Sequence, residues 1–101
     1  MQPQAQMTFD DYSLRCQGTF VFETIPAVLQ QWDLLKGTVS KLSKINLCCH
    51  DIISVDSSFM ALVIDIKRFC LLHNVRLKLT GLSKDKEDFL SAYGLDPVLS
   101  D

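Results

Sequence analysis

The residues best placed to do chemistry are the polar run Asp56-Ser57-Ser58, which stands between an apolar segment and a long apolar helical pattern. Asp is a preferred N-cap residue because its side-chain oxygen accepts a hydrogen bond from a backbone N–H left unpaired at a helix start. With Asp56 as the N-cap, Ser57 falls on the first turn, where the helix dipole favours anions and backbone donors can hold a phosphoryl group. Two interpretations remain open: Ser57 only helps to start the helix, or it belongs to a surface that contacts a partner.

Other residue types associated with chemistry form weaker patterns. No spacing of Ser, His and acidic residues supports nucleophilic catalysis, and Ser57 lacks the Gly-x-Ser-x-Gly elbow of hydrolases. Cys48, Cys49 and His50 lack the Cys-x-x-Cys spacing that lets two thiolates reach one metal ion, so we interpret them as the end of a strand. None of the four glycines forms a phosphate-binding loop. The sequence therefore predicts a protein that is not an enzyme and has no cofactor or metal site.

The helix after Asp56 carries two apolar stripes when its residues are placed at about 100° per residue. One stripe is assigned to the core and consists of Phe59, Leu62, Val63, Ile66, Phe69 and Cys70. The second is either covered by another element of the same domain or exposed to bind a partner, because apolar patches rimmed by charge are typical of interaction sites. This second stripe consists of Met60, Ile64 and Leu71, with Lys67 and Arg68 beside it. The predicted partner-binding residues are these five together with the turn residues Asp56, Ser57 and Ser58.

The elements that must position this helix follow from the rest of the chain. Residues 1 to 7 are polar and predict a disordered tail, and residues 8 to 101 form one domain. The pattern predicts a strand or hairpin that Gly18 breaks, a helix from Thr24 to Gly37, and a short strand over residues 45 to 48 followed by a loop. A strand over residues 75 to 80 and a helix from Ser83 to Gly94 complete the chain. The alternation predicts an α/β fold, a mixed sheet of about four to five strands with about three to four helices packed on it.

Composition limits the classes of function. The chain of 101 residues, 48% hydrophobic and 22% charged, suits one compact domain, and its formal net charge of −2 argues against nucleic-acid binding. The first residues do not form a signal peptide, and no apolar run approaches the roughly 18 residues that a membrane span needs. We therefore expect a cytoplasmic protein without membrane insertion, whose four cysteines stay reduced.

A resemblance to a known family rests on several of these segments. The Asp56-Ser57-Ser58 turn opening an apolar helix, preceded by the strand-like residues 45 to 48, resembles the signature of STAS domains. The likeness continues through residues 76 to 82 and 93 to 99, and spans roughly residues 10 to 99. STAS domains occur in bacterial anti-sigma factor antagonists, at the ends of sulfate transporters, and as a small cytoplasmic subunit of the Mla lipid-asymmetry ABC transporter. The Tyr93-Gly94-Leu95 segment looks most like that subunit, whereas Phe59 stands where many members carry Gly.

The resemblance implies a non-enzymatic accessory or regulatory subunit. Its partner would be the cytoplasmic ATPase of an Mla phospholipid transporter that maintains outer-membrane lipid asymmetry, in a complex with a permease and a lipid-binding subunit. The domain would then lie peripheral to the inner membrane through this partner. In STAS domains the hydroxyl corresponding to Ser57 is either phosphorylated or lies in a protein interface. The alternative is an anti-sigma factor antagonist switched by phosphorylation at Ser57, which Phe59 and the Tyr93-Gly94-Leu95 ending disfavour.

Overall fold

One mixed sheet organises residues 2 to 92, the part of the chain that the computed structural model describes. The elements in chain order are β1 (Ala5–Asp10), β2 (Ser13–Phe20), α1 (Ile25–Val39), β3 (Lys44–Val55), α2 (Ser57–Leu72), β4 (Arg76–Thr80) and α3 (Lys84–Ala92). The strand order is β1-β2-β3-β4, with β1 and β2 antiparallel and the other two pairs parallel. A helix connects each parallel pair, as a crossover requires. The predicted α/β fold with a mixed sheet is confirmed.

The hairpin of β1 and β2 begins earlier than the sequence pattern indicated. Asp11 and Tyr12 form its two-residue turn with positive φ angles of 47° and 65°, the geometry of a type I′ turn. β1 starts at Ala5 and buries Met7, which is 3% exposed. The predicted disordered tail of residues 1 to 7 is therefore wrong for residues 5 to 7, because pairing with β2 offsets the polar character of this segment.

Gly18 lies inside β2 and does not end it. Its φ is +104°, and an added Cβ would collide with the carbonyl of Gln4. The register with β3 is irregular on both sides of this glycine: β3 advances three residues, Cys48 to Asp51, while β2 advances two. Bulges of this kind insert an extra residue without ending a strand. β3 consequently runs without interruption to Val55, and the predicted loop after Cys48 is wrong.

The helix ends agree with the sequence at some positions and differ at others. α1 continues through Gly37 to Val39, which is fully buried, so the predicted end at Gly37 is wrong. α2 ends where expected, with Asn74 in the left-handed region at φ 57°. The Ser83 hydroxyl accepts a hydrogen bond from the Lys86 N–H at 3.3 Å and caps α3 as predicted. The predicted ending of this helix at residues 94 and 95 lies outside the described residues.

The core lies between one face of the sheet and the helices α1 and α2. The strands contribute side chains that alternate except at the bulges between β2 and β3: Met7, Leu14, Cys16, Phe20, Ile45, Leu47, Cys49, Ile52, Leu77 and Leu79. The first stripe of α2 is directed into this core, as predicted, with Phe69 half-buried at its edge. The indole N–H of Trp32 on α1 donates to Asp65 Oδ2 on α2 at 2.9 Å and joins the two helices. The other face of the sheet is mostly polar and is not covered by α1 or α2.

Candidate partner-binding site

The N-terminal end of α2 is held by Asp56, as the sequence predicted. Its backbone is extended, and its Oδ1 accepts a hydrogen bond from the Ser58 N–H at 2.8 Å. Oδ2 accepts a second hydrogen bond from the Phe22 N–H at 3.0 Å, and the Asp56 N–H donates to the carbonyl of Phe20. Asp56 therefore caps α2 and also ties the connection between β2 and α1 to the start of that helix.

These hydrogen bonds also affect the charge at the site. Desolvation acts to raise the pKa of the Asp56 carboxyl, but the hydrogen bonds from Ser58 and Phe22 favour the ionised form and outweigh it, so the pKa is lowered. Asp56 is thus a carboxylate at neutral pH. Its negative charge lies next to Ser57 in the chain, at the end of the helix whose dipole is positive.

Ser57 is the first residue of α2 and is exposed. Two large apolar side chains on neighbouring segments are also exposed: Phe22, which is 76% exposed and bonded to Asp56, and Ile53, which is 74% exposed and three residues before it. The sequence analysis did not select either one. A usable signal was the Ile52-Ile53 pair, since adjacent residues of a strand point to opposite faces and one of the two must leave the core.

The second apolar stripe of α2 is narrower than predicted. Met60 is 3% exposed and belongs to the core, so its prediction as a partner-binding residue is wrong. Ile64 is half-buried and packs against the core, and Lys67 is half-buried on the same flank as Met60. Leu71 is 67% exposed. Neighbouring elements cover the flank that carries Met60, which the helical period alone does not reveal.

A different line of residues forms the solvent-facing side of α2, and we call it the outer ridge. It consists of Ser57, Ala61, Ile64, Arg68 and Leu71, all exposed except Ile64. Their spacing of four and three residues places them on one side of the helix. The ridge keeps four predicted residues, Ser57, Ile64, Arg68 and Leu71, and adds Ala61, which the sequence prediction did not include.

Phe59 is directed away from this surface. It is 1% exposed, and its ring meets that of Phe20 edge to face, with centroids 5.7 Å apart and planes at 68°. An aromatic pair of this geometry stabilises the core beneath the start of α2. The ring therefore does not obstruct access to Ser57, and Phe59 gives no steric reason against the alternative of a domain switched by phosphorylation at Ser57.

The remaining reactive groups offer little chemistry. The pKa of the Cys16 thiol is raised, mainly by a hydrogen bond with Cys49 and next by burial. Burial also raises the pKa of the Cys70 thiol to about 11. Protonated buried thiols are poor nucleophiles. Within the described residues, no three His, Cys, Asp or Glu side chains come together to hold a metal ion. No helix in this part of the chain combines the length and apolar character needed to cross a bilayer.

Comparison with known proteins agrees with this architecture. No curated protein matches the sequence significantly. A family model described as STAS domain matches residues 2 to 100, almost the whole chain. Three of the segments on which the resemblance rested lie in regular elements: residues 45 to 48 in β3, the capped turn at Asp56 at the start of α2, and residues 76 to 80 in β4. The chain belongs to the STAS domain family.

Proposed function

We propose that this domain is a non-enzymatic accessory subunit that binds the cytoplasmic ATPase of an Mla-type phospholipid ABC transporter. STAS domains are generally binding or regulatory modules. The observation that carries the proposal is the outer ridge of α2, a largely exposed side of the helix that runs from Ser57 to Leu71. Leu71 is 67% exposed, and Phe22, whose backbone N–H is hydrogen-bonded to Asp56 at the start of α2, is 76% exposed.

The chemistry of this surface supports a partner with a complementary apolar and acidic surface. Phe22 is an exposed aromatic residue whose backbone Asp56 fixes, and rigid aromatic residues are frequent anchors of protein interfaces. Arg68 is the charged residue of the ridge. The complementary ATPase surface therefore contains an apolar groove with an acidic residue at its rim, so that Arg68 fixes the register of the contact.

The place of the subunit follows from the partner. Bound to the ATPase, the domain lies in the cytoplasm, peripheral to the inner membrane, and modulates assembly or activity of a complex with a permease and a lipid-binding subunit. The sequence similarity of Tyr93-Gly94-Leu95 to the transporter subunit supports this choice within the family. The complex would maintain outer-membrane lipid asymmetry.

A pull-down from native cytoplasm and solubilised membranes tests the proposal. We expect the tagged domain to retain an ABC ATPase and its permease, with the mass of the bait unmodified. Ala61→Arg is expected to weaken binding by tenfold or more, since it places a long charged side chain within the contact. Leu34→Arg is the matched control, because Leu34 is 85% exposed on α1, away from the ridge.

The outcomes separate the proposal from the surface assignment. Failure to recover any ABC ATPase contradicts the proposed function. If an ABC ATPase is recovered but Ala61→Arg and Phe22→Ala bind it with wild-type affinity, only the assignment of the surface is contradicted. Ile64→Asp is a less suitable variant, because Ile64 packs against the core and its substitution would also destabilise the fold.

The second candidate is an anti-sigma factor antagonist, and the observation that favours it is the exposure of Ser57 with Phe59 directed inward. Phosphorylation would add close to two negative charges beside the Asp56 carboxylate and would repel an apolar or acidic partner. Recovery of a kinase-like anti-sigma factor with a phosphorylated fraction of the bait would support it. Ser57→Ala should then bind that partner permanently, whereas an unmodified bait that no Ser kinase labels contradicts the switch.

A further inference from the structure

Basic side chains gather on the exposed face of the sheet, where β3 and β4 begin. Lys44 lies opposite Arg76 in the parallel register, and Asn46 lies opposite Lys78. The core-facing neighbours of these residues are buried, whereas all four are exposed and share the outer face. Together with Tyr12 from the β1–β2 turn they line a cavity of about 390 Å³.

This arrangement is unfavourable without a ligand. Like charges directly opposite each other on neighbouring strands are destabilising, and Lys44 and Arg76 form such a pair. Among residues 2 to 92, the ion pairs engage Lys36 and Lys84, and none engages the three cations of this cavity. The full chain has a net charge of −2, so the cluster is a local excess and not a reflection of composition. A local inconsistency of this kind is typical of a functional position.

We propose that this cavity binds a phosphate ester. The planar guanidinium of Arg76 can donate two parallel hydrogen bonds to phosphate oxygens, and the ammonium groups of Lys44 and Lys78 supply further charge and donors. A phosphate monoester carries up to two negative charges and three acceptor oxygens, which suits three cations better than a single carboxylate does. The Asn46 amide and the Tyr12 side chain are available to the remainder of the ligand.

The surroundings restrict the orientation of the ligand. Asp10 and Asp11 precede Tyr12 in the hairpin turn, so the side of the cavity near that turn is acidic. We expect the phosphate on the β3–β4 side. The cavity lies on the face of the sheet that α1 and α2 leave uncovered, whereas the outer ridge lies on the solvent-facing side of α2. Ligand and protein partner can therefore bind at the same time.

Calorimetric titration of the full chain at constant ionic strength tests the proposal. The probes are inorganic phosphate and glycerol 3-phosphate with chloride as reference, and vesicles containing phosphatidic acid, whose headgroup is a phosphate monoester, with phosphatidylcholine vesicles as reference. Saturable binding of the soluble phosphates indicates a free phosphate ester, and binding of the anionic vesicles alone indicates a lipid headgroup. In either case Arg76→Gln and Lys78→Gln should each weaken binding by about tenfold or more, since each removes a charged hydrogen-bond donor.

Lys86→Gln on α3 is the matched control, because it removes the same charge away from the cavity. Circular dichroism should show that Arg76→Gln remains folded, since the substitution relieves the repulsion with Lys44. The proposal is overturned if no probe binds better than its reference, if Arg76→Gln and Lys78→Gln bind as the wild type does, or if Lys86→Gln weakens binding equally.

Discussion

Met60 and Ala61 are adjacent in the chain, and substitutions at them should separate folding from partner binding. Met60 is 3% exposed and lies in the core, so Met60→Ala is expected to lower the free energy of unfolding by about 2–5 kcal/mol. That is a large part of the roughly 5–15 kcal/mol that stabilises a domain of this size. Ala61 is exposed on a helix, and Arg is a good helix former, so Ala61→Arg should change the stability by less than about 0.5 kcal/mol.

Urea unfolding followed by the fluorescence of Trp32, which is fully buried and the single tryptophan, measures both effects. For a slope of about 1–3 kcal/mol/M, the midpoint of Met60→Ala should fall by about 0.7 M or more, and that of Ala61→Arg should hardly move. In the pull-down the larger effect is expected for the other variant: folded Met60→Ala should retain the partner, and Ala61→Arg should lose it. A stability loss below about 0.5 kcal/mol for Met60→Ala, or above about 2 kcal/mol for Ala61→Arg, would refute the placement of the two residues.

Three further predictions concern the fold and its dependence on pH. A double-mutant cycle of Trp32→Phe and Asp65→Ala, measured by urea unfolding followed by circular dichroism, should give a coupling of about 1 kcal/mol. The coupling is modest because Asp65 is half exposed, so water replaces the lost hydrogen bond. Zero coupling would mean that the hydrogen bond between Trp32 and Asp65 does not stabilise the helix pair. Gly18→Ala should lower the free energy of unfolding by about 1–3 kcal/mol in thermal unfolding, since the φ of Gly18 is +104°. Gly37→Ala should instead stabilise α1 by about 0.5–1 kcal/mol, because open space surrounds Gly37. Equal effects of the two substitutions would contradict the strained geometry at Gly18. The lowered pKa of Asp56 implies a stabilisation that is complete above about pH 4, the ordinary range of an unfolded carboxyl, and is lost as the pH falls through the folded-state pKa. Melting temperatures between pH 2 and 7 should therefore converge with those of Asp56→Asn in acid, and a constant difference would argue against this linkage.

The features predicted well were those that depend on neighbouring residues. The capping of α2 requires only Asp56 and the backbone two residues later, and the inward face of α2 follows from the helical period. β4 could be predicted from the sequence because one of its faces is buried and the other is exposed, so that apolar and polar residues alternate along it. The family resemblance uses the same local signals, which is why it identified the STAS fold.

The sequence predictions were wrong where contacts with distant segments stabilise a strand or helix that the local sequence pattern does not predict. Residues 5 to 7 have a polar pattern, but β2 supplies their hydrogen-bond partners. β3 departs from simple alternation because its bulges add residues against β2. α1 continues past Gly37 because Val39 is buried in the core. Tertiary contacts outweigh intrinsic propensities of about 1 kcal/mol per residue in such cases.

By itself, the sequence determined the family, the order of most elements and the exposed hydroxyl at the start of α2. Only the tertiary structure decided which flank of that helix reaches solvent, since the covering of Met60 depends on elements that the helical period does not describe. It also decided that Lys44 and Arg76, far apart in the chain, lie opposite each other. The physical reason is that caps and helical faces arise from residues within a few positions of one another, whereas strand pairing and burial depend on segments that meet only when the chain folds.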